Sequence, residues 1–283
     1  MVLGKDIIIE RKTAVGGGDA NDAYKVVLSN GEFAFLKENS VQNADFFRKE
    51  EHGLKALQNT GTIRTPCIYD RGVEDGHSYL LMEYIERGHA SPGYWEKLGH
   101  ALAAMHKAPL DPKYSGKYGF YEDNYIGAGE QSNVQMTGWV EFFRECRLRP
   151  QLMLASGYFD KDILSKSEFI LNNLDKILIE PERPSLLHGD LWSGNVMPDS
   201  VGDPVLIDPA VYVGCNEADL AMTELFGGFD FRFYEAYYSE IGKMSGYERR
   251  RDIYNLYHLL NHLNLFGRGY LSSVIDIIIR YAK

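Results

Sequence analysis

Leu186–Met197 reads LLHGDLWSGNVM and sets a histidine, an aspartate, a tryptophan and an asparagine within eight positions, His188 to Asn195. Apolar segments flank it, residues 185–187 and 204–207, so the pattern predicts two short strands with a polar loop held between them. In such a loop Asp190 can take the proton of an attacking hydroxyl, and Asn195, five residues later, can offer its carboxamide oxygen to magnesium. Asp208, after the second apolar segment, supplies the hard anionic oxygen of a further metal contact. His188 reads as a hydrogen-bonding partner that orients the loop, because Asp190 beside it already fills the role of base.

Upstream of this loop the pattern is that of a small sheet. Residues 6–10 (DIIIE) read as a strand, Gly16, Gly17 and Gly18 as a break, and residues 23–28 as a second strand. Asn30-Gly31 is a two-residue hairpin signal leading into residues 32–37, which gives three antiparallel strands. Residues 44–59 carry Phe46, Phe47, Leu54 and Leu57 among charged neighbours, as an amphipathic helix does, and Thr60-Gly61 ends it. Residues 67–69 and 78–85 supply two more strands.

From Tyr94 the period changes to that of helices: residues 95–106, 138–155, 160–179, and most of the chain from Glu217 onward. The run 113–135 is rich in Gly, Tyr, Asn and Asp without periodicity, and predicts a long surface excursion. His258 and His262 stand one helical turn apart but lack the glutamate of a zinc-binding HExxH, so core or solvent-facing histidines are the expectation there.

The order of parts has a chemical meaning. A glycine-rich hairpin, a lysine on the third strand, a helix bearing a glutamate, further strands and then an HxDxxxxN loop is the order found in phosphoryl-transfer enzymes of the protein-kinase-like type. It predicts an α+β fold of two lobes: residues 1–85 as a small antiparallel sheet with one long helix, and residues 86–283 as a larger, mainly helical lobe with the catalytic loop and acceptor site. Gly16, Gly17 and Gly18 can bring backbone amides to phosphate oxygens. A strand, not a helix, follows them, which disfavours a dinucleotide fold. Lys37 can meet the α- and β-phosphates while a glutamate of the next helix holds it. Glu50 and Glu51 are both candidates, and helical phase favours Glu50, which shares a face with Leu54 and Leu57.

Composition narrows the partners. Against 30 basic residues stand 40 acidic ones, a formal charge of −10 that would repel a polyanionic backbone, so no nucleic-acid partner is expected. The first residues, MVLGKDIIIERK, lack the apolar core of a secretory signal, and nothing approaches the roughly 20 apolar residues of a membrane span. Cys67, Cys146 and Cys215 are odd in number and far apart, which suggests neither a disulfide framework nor a redox pair and points to the cytoplasm. The oligomeric state is left open.

The loop LLHGDLWSGNVM resembles the catalytic loop of the fructosamine/ketosamine 3-kinase family, whose HGDLWxGN pattern differs from the related aminoglycoside phosphotransferases in its tryptophan. Residues 17–24 (GGDANDAY) resemble the family's nucleotide loop, and residues 47–57 its lobe-bridging helix. Residues 207–210 with 217–229 resemble its metal-binding strand and the next helix, and residues 256–267 its C-terminal helix, with Asn261, His262 and Asn264 matching. The resemblance spans nearly the whole chain. It implies ATP and Mg2+ as cofactors, Lys37 with Glu50 as the nucleotide-positioning pair, and Glu83, Tyr84 and Ile85 as the hinge that meets adenine. It further implies Asp190 as base, Asn195 and Asp208 as magnesium ligands, and Trp192 and His262 as candidate substrate contacts. Trp192 could equally pack the loop onto the C-terminal helices. Some family members carry a cysteine in the nucleotide loop where Asp19 stands here, so thiol control of that loop is not expected.

The family reaction moves the γ-phosphate of ATP to the 3-hydroxyl of a sugar joined to an amine by an Amadori linkage. Phosphate on carbon three is a leaving group β to the carbonyl on carbon two, so its elimination frees the amine. Two rival readings are a kinase for another small alcohol, such as an aminoglycoside or choline-like amine, and a nucleotide-binding pseudokinase scaffold.

Overall fold

The computed structural model describes residues 7–16 and 21–283. Gly17, Gly18 and Asp19 lie outside them. β1 (Ile9–Ala14), β2 (Asp22–Leu28), β3 (Phe33–Ser40), β4 (Ile68–Glu74) and β5 (His77–Glu83) form one antiparallel sheet in the order β1-β2-β3-β5-β4. The hairpin turns at Asn30-Gly31 but through three residues, 29–31, and not two: Gly31, at φ +83°, donates its N–H to the Leu28 carbonyl at 2.8 Å, and Leu28 N–H donates to the Glu32 carbonyl at 2.9 Å. The first strand begins later than its isoleucine run suggests: Arg11 to Ala14 pair with Val27 to Tyr24. This edge strand is exposed along its length, so hydrophobic alternation could not mark it.

Alternation along β3 decides where the chemistry falls. Ala34 and Leu36 turn to one face, where they pack with Val26, Leu28 and Leu81. Phe35 turns to the other, against Phe47 and Leu54 of α1 (Ala44–Gln58) and Leu80 and Met82 of β5. Lys37 has the parity of Phe35 and so also faces α1. On that helix Phe47, Glu50, Leu54 and Leu57 are buried together, the one-face spacing of a helix. Lys37 stands within β3, three residues short of its end.

Beyond Glu83 the chain becomes mainly helical, with α2 (Tyr94–Lys107), α3 (Trp139–Phe143), α4 (Arg149–Leu154), α5 (Lys161–Asn172), α6 (Glu217–Leu225), α7 (Phe231–Ile241), α8 (Tyr247–Phe266) and α9 (Leu271–Tyr281). Trp139 is fully buried among Phe142, Phe143, Tyr212 and Tyr254, and its indole N–H donates to Tyr254 at 3.1 Å. The helix expected over residues 138–155 is interrupted: a π-helical turn, Arg144–Leu148, separates α3 from α4. Pro150 has no N–H for the Cys146 carbonyl, and the Arg147 guanidinium takes that role at 2.9 Å.

Two further expectations are corrected. Residues 113–135 are not a surface excursion: they contain a short hairpin, β6 (Asn124–Ile126) with β7 (Gly129–Gln131), and bury Tyr114, Tyr118, Phe120, Asn124, Gln131 and Asn133. The segments flanking the HGD loop do form strands, β8 (Ser185–Leu187) and β10 (Pro204–Leu206), but each pairs elsewhere. β8 pairs with β11 (Tyr212–Gly214), and β10 with β9 (Val196–Pro198), the strand that leaves the loop itself. Among the described residues no helix is long and apolar enough to cross a membrane. Cys67, Cys146 and Cys215 are free, the first exposed and the other two buried.

Candidate active site

The loop after β8 is built around a glycine. Gly189 holds φ +82°, and a Cβ there would stand 2.0 Å from the Ala210 carbonyl oxygen, so no other residue fits between His188 and Asp190. The buried Asp219 of α6 grips the same turn, accepting from the backbone N–H of His188 at 2.7 Å and of Gly189 at 2.8 Å. His106 of α2 lies 3.1 Å from Asp219 and 2.7 Å from the Tyr237 hydroxyl of α7. Burial alone would raise the Asp219 pKa, but the His106 hydrogen bond and charge, with those of the loop, hold it below the usual carboxylate range.

His188 is fully buried and burial lowers its pKa, so the ring is neutral. Its Nε2 donates to the Ile207 carbonyl at 2.9 Å, and its Nδ1 accepts the Asp190 N–H at 3.3 Å. This ring therefore ties the HGD turn to the strand that leads to Asp208, an orienting role. Ala210 N–H closes the tie from the other side, donating to the His188 carbonyl at 2.8 Å.

Asp190 and Asn195 meet. The Asn195 amide donates to the Asp190 main-chain carbonyl at 2.8 Å and to its Oδ2 at 3.0 Å. Burial pushes the Asp190 carboxyl up to about 7, with the Asn195 hydrogen bond working against it and the Asp208 charge adding to it. Across the cleft Lys37 Nζ lies 2.6 Å from Glu50 Oε1 and 2.6 Å from Asp208 Oδ1. Burial disfavours the ammonium, yet the Asp208 and Glu50 carboxylates outweigh it and raise the lysine pKa. Glu51 points elsewhere, to Lys55 and Arg71.

These groups share one cleft of about 760 Å3. Gly16, Ala23, Phe35, Lys37, Glu50 and Ile207 line one part of it, and Asp190, Asn195 and Asp208 also line it. Trp192, Phe226, His262, Phe266 and Tyr270 give it an aromatic wall. Trp192 lies across Gly194, where a Cβ would be 2.2 Å from the indole, and meets Phe226 edge-on at 6.3 Å. Phe226 in turn touches His262 at 5.0 Å. His262 Nδ1 donates to the His258 carbonyl at 2.8 Å. His258 itself is buried, its pKa pushed down to about 3 by burial, so its ring is neutral. Glu83, Tyr84 and Ile85 are not part of the cleft wall; the Glu83 carboxylate pairs with Arg64 at 2.5 Å.

The donor set suits a hard cation. Asn195 directs its amide hydrogens to Asp190, and its Oδ1 has no donor among the described residues. Asp208 engages Lys37 through Oδ1 only and is exposed to the cleft. Among the described residues no three His, Cys, Asp or Glu side chains cluster to hold a metal by themselves. A cation at Asn195 and Asp208 therefore needs phosphate oxygens to complete its shell, the usual arrangement for magnesium.

The fructosamine kinase family model matches residues 1–283. The chain belongs to the fructosamine kinase family. Within that family it is 43% identical over 286 residues to the chloroplastic protein-ribulosamine 3-kinase of Arabidopsis thaliana, covering 99% of this chain and 85% of that one. A crystal structure of a candidate fructosamine-3-kinase from Thermobifida fusca superposes with a TM-score of 0.84 at 32% identity, covering 97% of this chain and 93% of that one. An aminoglycoside phosphotransferase, in ternary complex with AMP-PNP and hygromycin B, matches at a TM-score of 0.66 and 18% identity, covering 97% and 95%. That likeness is one of fold, the two-lobed kinase-like fold that this family member shares.

Sequence reasoning missed three supports of the site. Asp219 falls within residues 217–229, to which the sequence assigns no individual role, and Asn124 and Gln131 lie in the stretch read as surface. A buried aspartate beside a glycine turn leaves no periodic signal, since its partners are backbone N–H groups 30 and 31 residues away.

Proposed function

We propose that this fructosamine kinase family member is an ATP-dependent ketosamine 3-kinase. It transfers the γ-phosphate of ATP to the 3-hydroxyl of fructosamine or ribulosamine adducts of small amines or protein lysines, and so promotes deglycation. The observation that carries this reading is the convergence of Lys37, Asp190, Asn195 and Asp208 on a cleft that also has an aromatic wall.

Each group has a task. Lys37, held by Glu50, meets the nucleotide phosphates in the part of the cleft that Gly16 lines. Glu83 to Ile85, at the end of β5 and outside the wall of this cavity, would meet adenine at the edge of the cleft, a role that rests on the family resemblance alone. Asp190 takes the proton of the acceptor hydroxyl as its oxygen attacks, while Asn195 orients that carboxylate and His188 holds the loop in register. Asn195 and Asp208 would hold Mg2+, which supplies charge neutralisation on the transferred phosphate. Trp192 offers an apolar face to the sugar C–H groups, and His262, its Nδ1 occupied, presents Nε2 as an acceptor for a sugar hydroxyl.

In this account residues 1–85 form the nucleotide lobe and residues 86–283 carry catalytic loop and acceptor site. The acidic balance and the free thiols suit a cytoplasmic protein with neither a nucleic-acid nor a membrane partner. A choline-like amine is the second reading, because an aromatic wall also suits a quaternary ammonium. A polycationic aminoglycoside fits less well: of the carboxylates lining the cleft, Glu50 and Asp208 face Lys37, and Asp190 faces Asn195. The acceptor screen that separates these readings follows ADP release from Mg-ATP with ribulosyl-lysine, fructosyl-lysine, choline and an aminoglycoside. Turnover confined to the last two would overturn the ketosamine assignment, and nucleotide binding without any turnover would favour the scaffold.

A further inference from the structure

The hairpin β6–β7 places Asn124 and Gln131 opposite one another, and both are buried. Asn124 donates from Nδ2 to the Val211 carbonyl at 2.8 Å, and Gln131 donates from Nε2 to the Ala210 carbonyl at 3.0 Å and to Asn124 Oδ1 at 2.8 Å. The two gripped carbonyls lie two and three residues beyond Asp208. Asp208 itself sits at φ +51°, a left-handed conformation that residues other than glycine seldom adopt and that persists only where the surroundings impose it.

Behind the two carboxamides the network continues into the helical core. The Tyr257 hydroxyl of α8 donates to Gln131 Oε1 at 2.7 Å, and Asn133 donates to Asn124 Oδ1 at 2.8 Å. Arg147, wholly buried and stacked 4.0 Å over Tyr212, donates to Asn133 Oδ1 at 2.8 Å. The hairpin also reaches the sheet lobe. Tyr125, between the two ends, stacks on Phe46 of α1 at 4.7 Å, and Lys49 stands 4.7 Å from the same ring. Phe46 is one turn before Glu50. One hairpin thus touches both the helix that carries Glu50 and the turn that carries Asp208, the two partners of Lys37.

We propose that Asn124 and Gln131 are positioning residues that fix the Asp208 turn relative to α1, so that the cation-binding carboxylate is aimed only while the hairpin is docked. This rests on the functional reading above in one respect, the assignment of Asp208 to a phosphate-bound cation. Removing a carboxamide leaves a buried carbonyl without its donor and frees the turn to leave its left-handed conformation. The loss falls on cation-dependent nucleotide binding.

The test is binding of a fluorescent ATP analogue to wild type and Gln131→Met, in magnesium and in EDTA. Affinity in magnesium should fall by about tenfold or more in Gln131→Met, as for other groups that orient metal ligands, while affinity in EDTA stays at the wild-type level. Tyr257→Phe, which leaves both donors of Gln131 in place, should lose less than Gln131→Met. If Gln131→Met does not fold by circular dichroism, Phe46→Leu loosens the same coupling from the α1 side and should show the same magnesium-specific loss. A folded variant that keeps the full magnesium effect would overturn the proposal, as would equal losses in magnesium and EDTA. Wild type without any magnesium-dependent binding would instead remove the functional reading together with this one.

Discussion

The Lys37 ammonium lies 2.6 Å from the Asp208 carboxylate, joining residues 171 positions apart. With Glu50 at 2.6 Å on its other side, Lys37 draws sheet, helix and catalytic turn to one point. Lys37→Met removes the cation that the nucleotide phosphates meet and leaves two carboxylates facing one another. kcat/KM for ATP should fall by about 10²-fold or more, the scale of losing one preorganised electrostatic group. Steady-state kinetics with ATP varied checks this, and an unchanged value would remove Lys37 from the nucleotide site.

Asp190→Asn should lower kcat by about 10³-fold, within the range of general-base effects. Nucleotide affinity should remain, because the base acts on the acceptor. Equal loss of turnover and of ATP binding, measured by titration with a non-hydrolysable analogue, would contradict the role.

The Asp190 carboxyl is pushed up to about 7 by burial, and only its ionised form accepts a proton. Acceptor kcat/KM should therefore rise with pH through about 7, and Asn195→Ala, which removes the hydrogen bond that lowers this pKa, should move the rise to higher pH. The stability sign is the reverse. The folded state holds this proton more tightly than the unfolded chain does, so the contribution of Asp190 is greatest in acid and is lost as pH rises through the folded pKa. Asp190→Asn should accordingly unfold at higher urea concentration than wild type at pH 8. A pH profile that rises near 4 would contradict both statements.

Asp219→Asn replaces one oxygen that accepts from His188, Gly189 or His106 with a donor, inside the core. It should destabilise the protein by about 3 kcal/mol, the scale of breaking a buried charged network. Urea unfolding followed by tryptophan fluorescence measures it, and a change below about 1 kcal/mol would show that the loop is held by other means.

Trp192→Ala should raise the acceptor KM with little change in the KM for ATP, since the indole lies in the aromatic wall with Phe226. Loss of stability without that KM effect would favour the packing role instead.

The sheet and long helix were legible because each repeats a local signal. The Asn30-Gly31 turn, the alternation of Ala34 and Leu36, and the one-face spacing of Phe47, Glu50, Leu54 and Leu57 all act over a few residues. Helical phase favours Glu50 over Glu51, but only the kinase-like order of parts brings Lys37 to it. The HGD loop could be read because its chemistry is compressed into eight positions. What surrounds it could not. β8 pairs across the loop with β11, more than 20 residues downstream, a matter of long-range topology that no window of sequence carries. Asn124 and Gln131 look like surface residues by composition, and they are buried only because the backbone carbonyls of Ala210 and Val211 meet them there. The same holds for Gly189, whose need for φ +82° follows from the approach of Ala210.

Phosphorus NMR of a reaction containing the purified protein, Mg-ATP and ribulosyl- or fructosyl-lysine tests the central claim most directly. The predicted result is a new phosphomonoester on carbon three that decays without further protein as free lysine and inorganic phosphate appear together. A stable phosphoester on another carbon, or none while a different alcohol is phosphorylated, would contradict it.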